Sequence, residues 1–325
     1  MDQRRTAEEG ITASRNQSDA KETTLNPVPM PEKGVSWDLG QLAGPEEAAE
    51  HRQPVKDEAG ADRDRRPQRK TTVKGKGESE KSRIDRRQRI RYDLHVHTCL
   101  SPCGDNEMTP SNIVRLAELI GCEMLAITDH NSCGNVAGVM EAAKGTDLLV
   151  IPGMELCVSE EAHVICLFET LEGALAFGDY VSQRMPPIKN RPEIFGEQRI
   201  CDGQDRVIGL EEGYLLSSAD ISVSEVIGLT RVYGGAVFPA HVNRDSYSVI
   251  ASLGDLPKEA DFSVLELSSD CHPADFFRLH PGLREMRRLQ NSDAHYLEVF
   301  AGEKQEIILP ERSAKALIQW ISGDL

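Results

Sequence analysis

Histidines and carboxylates recur at the ends of apolar, strand-like segments of this sequence. The segment RYDLHVHTCLSPCG, residues 91–104, carries His95 and His97 two positions apart, and two cysteines follow within six residues. Side chains alternate across a strand, so these two imidazoles face the same side. Asp293 and His295 repeat this spacing in the segment NSDAH. Imidazoles and carboxylates that point the same way are suited to binding a divalent metal ion.

Six of the nine histidines lie at ends of predicted strands, namely His95, His97, His130, His163, His241 and His295. His163 starts its strand, but its connection from Glu155 is too short for a crossover helix. The two strands are therefore expected to be antiparallel neighbours, which returns His163 to the cluster. A single strand histidine is commonly a packed core or rim residue. A whole cluster of uncoordinated imidazoles and carboxylates would be costly to desolvate, so the set predicts a metal site.

The segments between these residues alternate between strand-like and helix-like patterns. A helix is expected from about Thr109, with Pro110 in its first turn and its end at Gly121. Repeated β-then-α units predict parallel strands covered by helices, hence an α/β barrel or an open doubly wound sheet. The C-terminal ends of parallel strands open on one face of such a fold, and we expect the metal site there.

Composition divides the chain into two regions. Residues 1–88 are polar and nearly neutral, and they bury too little apolar surface to offset chain entropy, so we expect a largely disordered, charged N-terminal region. Its basic run, 63–70, is either a solvated linker or a contact for nucleic acid or a membrane surface. Residues 89–325 hold 19 Lys/Arg and 36 Asp/Glu, a net charge of −17, and suffice for one sizeable core. Their acidic balance makes stable binding of duplex nucleic acid unlikely.

No apolar run reaches transmembrane length, and the first residues lack the apolar segment of a secretory signal. The eight cysteines do not have the density of a disulfide scaffold. We therefore expect a cytoplasmic protein with reduced thiols and no membrane partner.

The motifs DLHVHTCLSP, AITDHN, GME, AHV, PAHVNR and SDAH, in this order, resemble those of the PHP (polymerase and histidinol phosphatase) superfamily. The resemblance covers about residues 91–300. It implies an irregular seven-stranded β/α barrel of PHP type, with two or three divalent metal ions at the C-terminal ends of the strands. It also implies hydrolysis of phosphate esters.

The resemblance assigns the metal ligands by motif. The implied groups are His95, His97, Glu155 and Asp293 for one ion; Glu155, His163 and His241 for a second; and His130, His295 and a residue of the loop after His97 for a third. The family often has a histidine where this chain has Cys103. Cys103 is therefore either a thiolate ligand or a small packed side chain. A thiolate would favour zinc or iron over magnesium, and manganese stays a candidate beside them.

The implied reaction is hydrolysis of a phosphomonoester, or of the terminal phosphate of a nucleotide or oligonucleotide, by a hydroxide that bridges the metals. Glu155, His241 and Asp293 would be catalytic, and Arg244 would contact the phosphate unless it is a plain surface arginine. Histidinol-phosphatase-like activity is an alternative within the enzyme class. A non-catalytic metal-binding regulatory or interaction module is the alternative outside it.

Two further sets of residues are candidates for supporting roles. Asp93 and Asp129 could orient imidazoles from behind, although an internal structural contact is equally open for Asp93. Residues 184–216 are interpreted as an inserted loop and hairpin beside the site. The basic residues of this insertion either contact the substrate or belong to a hairpin that only covers the barrel flank; they are Lys189, Arg191 and Arg199.

Overall fold

The computed structural model describes residues 87–325. The region 1–88, predicted to be disordered, lies outside these residues apart from its last two positions. The described strands are β1 Gln88–Val96, β2 Met124–Ile127, β3 Leu149–Cys157, β4 His163–Phe168, β5 Arg199–Cys201, β6 Val207–Leu210, β7 Gly235–Pro239, β8 Val264–Ser268, β9 Arg287–Asn291 and β10 Gln305–Leu309. The described helices are α1 Pro110–Ile120, α2 Val136–Ala142, α3 Leu171–Ser182, α4 Pro192–Phe195, α5 Val223–Val232, α6 Val249–Leu253, α7 Pro273–Leu279, α8 Leu297–Phe300 and α9 Ala314–Ser322.

Six strands form a curled main sheet in the order β10-β1-β2-β3-β4-β7. The pairs β1/β2 and β2/β3 are parallel, as the alternating β and α segments predicted. The pairs β3/β4 and β4/β7 are antiparallel, and Cys157 of β3 lies opposite His163 of β4. This register confirms that the short connection after Glu155 brings His163 back beside the end of β3.

The seven-stranded barrel is not confirmed, because β8 and β9 form a separate parallel pair. Where this pair meets the main sheet, buried side chains accept hydrogen bonds from backbone N–H groups. In a continuous β-sheet, those N–H groups would donate to carbonyl oxygens of the neighbouring strand. Leu94 N–H donates to Asn291 Oδ1 at 2.9 Å. His241 N–H donates to Glu266 Oε2 at 2.8 Å. The described residues therefore form a mixed α/β fold with a half-barrel sheet.

The helices cover the sheet with apolar side chains and leave the strand ends open. Helix α1 begins with Pro110 and ends at Gly121, whose φ of 67° is easily adopted by glycine. Its buried face packs into one apolar cluster, which also contains Phe177 of α3. A second cluster lies against α9 and includes Leu94 and Phe238. Burying each such side chain contributes about 1.5–3 kcal/mol, which keeps the strands in place beneath the polar residues at their ends.

None of the helices in residues 87–325 combines the length and the apolarity needed to cross a lipid bilayer.

Candidate metal centre

Glu155, near the end of β3, lies at the centre of the histidine cluster and is 1% exposed. Its two carboxylate oxygens contact five imidazoles: Oε1 lies 2.9 Å from His163 Nδ1, 3.2 Å from His241 Nε2 and 3.3 Å from His95 Nε2, and Oε2 lies 2.9 Å from His130 Nδ1 and 3.2 Å from His97 Nε2. Alternate side chains of β1 face the same side, which directs His95 and His97 toward Glu155. The antiparallel pairing of β3 and β4 brings His163 to the same place. One carboxylate can thus bridge several ligand groups.

Asp293 adds a second carboxylate to the same cluster. Its Oδ1 atom lies 3.1 Å from His95 Nε2 and 3.2 Å from His97 Nε2. His295 Nδ1 is farther away, at 3.6 Å. Asp293 and His241 both have a left-handed backbone, with φ of 51° and 28°, which is uncommon outside glycine. Such a conformation is retained where the surroundings enforce it, and here it directs both side chains into the cluster.

Potential ligand atoms within 4.8 Å of one another define three overlapping groups among the described residues: His95, His97, Glu155 and Asp293; His130, Glu155 and His163; and His97, His130 and His295. The first group equals the first set that the family resemblance implied. In the second group His130 stands where His241 was expected, although His241 contacts Glu155 Oε1, the oxygen that His163 also contacts. In the third group His97 stands where Cys103 was expected.

Several buried atoms of this cluster lack a partner in hydrogen-bond orientation despite their short contacts: Nδ1 of His130, Oε2 of Glu155, Nδ1 of His241 and Oδ1 of Asp293. Buried polar atoms are normally satisfied, so unpartnered atoms in a native site call for an explanation such as an ion. A buried set of imidazole nitrogens and carboxylate oxygens suits zinc, manganese or iron. The residues present therefore fit a divalent metal centre.

A cavity of about 250 Å³ opens onto this cluster. Cys103 lines it but is exposed, and its sulfur does not belong to any of the three donor groups. Arg244 also lines the cavity, with 47% of its side chain exposed, and Arg244 Nη1 contacts Asp293 Oδ2 at 2.7 Å. The residue predicted to contact phosphate is thus held at the mouth of the site.

Glu266 is a further candidate site residue, and none of the motifs in the sequence indicated it. It is 1% exposed in β8, and both of its oxygens lie 3.1 Å from His95 Nδ1. A carboxylate behind a metal-binding histidine fixes the tautomer and orientation of the ring. The available signal was a single carboxylate within the otherwise apolar segment VLELS.

Asp129 supports the site through a serine. Ser101 Oγ donates to Asp129 Oδ1 at 2.7 Å and lies 2.9 Å from His97 Nδ1. Thr98 donates to the same carboxylate from both its backbone N–H and its hydroxyl, each at 2.7 Å. Asp129 thus shapes the loop after β1, and it reaches the imidazole of His97 only through Ser101.

Asp93 makes a structural contact, which was one of the two roles left open for it. Its Oδ2 atom lies 2.8 Å from Lys304 Nζ, and both side chains are buried. Its Oδ1 atom accepts from Ser292 N–H at 3.1 Å. The Asp93 carboxylate therefore holds the backbone just before Asp293.

The basic residues of the insertion pair with acidic neighbours at its surface: Lys189 with Glu212 at 3.8 Å, Arg191 with Glu193 at 3.8 Å, and Arg199 with Glu197 at 2.7 Å. Strands β5 and β6 form the hairpin of this segment, and Asp202 and Gly203 lie in its turn. None of the three basic residues lines the cavity at the cluster.

The carboxylates of the cluster stay ionised. Burial by itself raises the pKa of Glu155, but the surrounding imidazoles, above all His163 and His95, hold it well below its ordinary value. The pKa of Asp293 is also lowered, because His95 and His97 outweigh its burial. Both side chains are therefore available as anionic ligands.

The histidines divide into two electrostatic kinds. Burial lowers the pKa of His163, but the Glu155 carboxylate outweighs it and raises the pKa to about 10. Burial dominates at His130 and His295 and lowers their pKa values to about 4 and about 3. Those two imidazoles are neutral at physiological pH, which is the form that binds metal.

Residues 93–222 match the family model described as the PHP domain. This match confirms the resemblance inferred from the motifs. Among curated proteins, an uncharacterised protein of Methanocaldococcus jannaschii is 32% identical over 87 residues, which are 24% of this chain and 50% of that protein. The 5′-3′ exoribonuclease Rnm of Salmonella typhimurium is 37% identical over 76 residues, which are 23% of this chain and 25% of that protein. The chain therefore spans half the length of the first relative and a quarter of the second.

Two solved structures share the fold at low sequence identity. The lesion-specific endonuclease PfuEndoQ from Pyrococcus furiosus has a TM-score of 0.52 and 17% identity, covering 73% of this chain and 56% of that one. A complex of Endonuclease Q with a 27-mer duplex that carries an abasic lesion at the active site has a TM-score of 0.51 and 16% identity, covering 73% and 57%. That neighbour binds a duplex, and this finding conflicts with the expectation, drawn from the acidic balance of this chain, that stable duplex binding is unlikely.

Proposed function

We propose that this chain is a metal-dependent hydrolase of phosphate esters, on the premise that residues 93–222 match the PHP domain. The observation that carries the proposal is the buried carboxylate of Glu155 in contact with five imidazoles, with its Oε2 atom lacking a partner in hydrogen-bond orientation. A structural core would not retain such a cluster without compensation, since buried ionised groups need partners. The relatives with assigned activities act on nucleic acids, which supports phosphate esters as the substrate class.

The three donor groups would hold two or three divalent ions, and zinc, manganese and iron are the candidates. When bound, such ions supply Lewis acidity to the phosphoryl oxygens and to the attacking water. Glu155 and Asp293 provide the negative charge that retains the ions, while neutral His130 and His295 add ligands without cancelling the positive charge. The bound ions would make the cavity positively charged within an otherwise acidic domain, and a positive cavity favours binding of a phosphate dianion.

Arg244 positions the substrate in this proposal. Its guanidinium uses one nitrogen on Asp293 Oδ2 and leaves other donors exposed toward the cavity. A guanidinium in this place can bind two phosphate oxygens at once. The cavity of about 250 Å³ fits a phosphoryl group with its nearest atoms. We therefore propose a phosphomonoester, or the terminal phosphate of a nucleotide or oligonucleotide, as the substrate.

The first test is elemental analysis of the full chain purified without chelator, followed by a panel of phosphomonoesters with manganese, zinc or iron supplied. We expect two or three metal ions per chain and turnover of at least one ester. Asp293→Ala should abolish turnover and lower the metal content, whereas Asp147→Ala, an exposed aspartate outside the site, should do neither. Stoichiometric metal without turnover on any ester would instead favour a non-catalytic metal-binding module.

A further inference from the structure

Tyr247 is an aromatic residue at the mouth of the cavity that the proposed chemistry does not use. It lines the same cavity as Arg244 and is 53% exposed. Its ring stacks on His163, with ring centroids 5.0 Å apart and an angle of 24° between the planes. The His163 imidazole covers one face of the Tyr247 ring, so the exposed surface of Tyr247 is the rest of that ring.

The backbone holds this ring in place at a conformational cost. Tyr247 has a φ of 53°, a left-handed conformation that bulky side chains rarely adopt. Its carbonyl oxygen accepts from His163 N–H at 2.9 Å, and Ser248 Oγ donates to Arg244 O at 2.7 Å. The turn from Arg244 to Ser248 is thus closed on itself by Ser248 and attached to β4 through His163. A strained aromatic residue that is fixed yet half exposed points to a binding role.

We propose that Tyr247 is a specificity-determining platform on which the aromatic base of a nucleotide stacks while its terminal phosphate lies at the metal centre. This inference rests on the proposed phosphoesterase function and narrows its substrate class. The flat, exposed ring supplies the surface that a base requires, and Leu216, which lines the same cavity, adds an apolar contact. Arg244, three positions before Tyr247, takes the phosphate. Stacking of this kind accepts every base, so the platform selects nucleotides without reading their sequence.

The test compares adenosine 5′-monophosphate with glycerol 2-phosphate, which has the same reacting group but no ring. Tyr247→Asn removes the aromatic ring and tolerates the left-handed backbone, whereas Tyr247→Phe keeps the ring. We expect Tyr247→Asn to raise KM for the nucleotide about tenfold, equivalent to about 1.4 kcal/mol, with little change in kcat. Hydrolysis of glycerol 2-phosphate and the metal content should stay at parental levels, and Tyr247→Phe should behave like the parent. Tyr296→Asn is the matched control, because Tyr296 is 50% exposed and does not line the cavity.

Calorimetric titration of the metal-loaded protein with both esters measures the platform without turnover. If Tyr247→Asn loses affinity for both esters equally, or binds the nucleotide as tightly as the parent does, Tyr247 is not a stacking platform. The phosphoesterase proposal would still stand. A nucleotide that binds no tighter than glycerol 2-phosphate to the parent overturns the platform as well. A parent that binds the nucleotide through Tyr247 but hydrolyses no ester would instead refute the proposed function and keep the platform.

Discussion

Replacing Glu266 by glutamine tests whether a buried carboxylate prepares His95 for metal. Both oxygens of Glu266 lie 3.1 Å from His95 Nδ1. A carboxylate only accepts hydrogen bonds, so Nδ1 keeps its proton beside Glu266, and the proton that His95 releases when metal binds is the one on Nε2, which faces Glu155 and Asp293. Glutamine has nearly the same shape but offers one accepting oxygen instead of two.

The loss can be estimated from the donors that compete for that oxygen. In the parent, His241 N–H donates to Oε2 at 2.8 Å and Asn291 Nδ2 donates to Oε1 at 2.6 Å. In the variant at least one of these donors faces an amide NH₂ group, and an unsatisfied buried donor costs about 1–3 kcal/mol. If His95 reverses its tautomer instead, its Nε2 carries a hydrogen where the metal should bind. Loss of such an outer partner lowers metal affinity by about 10- to 100-fold.

The charge of Glu266 has an opposing effect that depends on pH. Burial lowers the pKa of His95, but Glu266, the strongest of three nearby carboxylates, helps to raise it well above its ordinary value. Without that charge, His95 releases its proton more easily when metal binds. The difference in affinity between parent and variant should therefore be larger at pH 8 than at pH 6.

Competition between the protein and a chelator of known affinity, with zinc or manganese at several pH values, measures this difference. Glu259→Gln is the matched control, because Glu259 is exposed and does not belong to the donor groups. Circular dichroism confirms that each variant is folded. Parental metal affinity in Glu266→Gln, or an equal loss in Glu259→Gln, would refute the assigned role of Glu266.

Three further outcomes are expected. Metal binding should release protons and weaken as pH falls, because the Glu155 carboxylate raises the pKa of His163 to about 10 without metal. Calorimetric titrations in buffers of different ionisation enthalpy will measure the number of protons released. A value of zero would contradict this prediction. Cys103→Ser should keep the parental metal content by elemental analysis, since the donor groups are complete without the thiol; a loss of one ion per chain would identify Cys103 as a ligand. Lys304→Met should lower the free energy of unfolding by about 3–5 kcal/mol in denaturant melts, because Asp93 is left as a buried, unpaired charge. Exposed Lys315→Met should have little effect, and similar losses in both would refute the assignment.

The positions of the histidines were predictable because strand geometry is local. A two-residue spacing places His95 and His97 on one side of any strand, whatever the rest of the fold does. The short connection between Glu155 and His163 excluded a crossover helix, and this required β3 and β4 to pair antiparallel. These two inferences lead to the convergence around Glu155 that the structure shows.

The remaining features depend on contacts between residues far apart in the chain. Asp93 and Lys304 are 211 positions apart, so no local pattern joins them. Glu266 is recognisable only as an odd carboxylate in an apolar strand, and its partner His95 lies 171 positions away. The seven-stranded barrel is not confirmed, because side chains such as Asn291 accept hydrogen bonds from the backbone where the two sheets meet. The hydrophobic periodicity of the sequence cannot reveal that a side-chain oxygen accepts a hydrogen bond in place of a backbone carbonyl.

The energetics of the metal-free cluster explain why its residues belong together. Glu155 and Asp293 remain ionised inside the protein, and this is tolerated because His163 and His95 keep their protons. The left-handed backbone at Asp293 adds strain to the cost of desolvation. A divalent cation can replace these protons and bring the buried carboxylates and imidazoles into direct coordination. The negative charge of Glu155 and Asp293 is thus neutralised either by protons on the imidazoles or by bound metal. Proton release and metal affinity must therefore change together in any variant that alters the charge of the cluster.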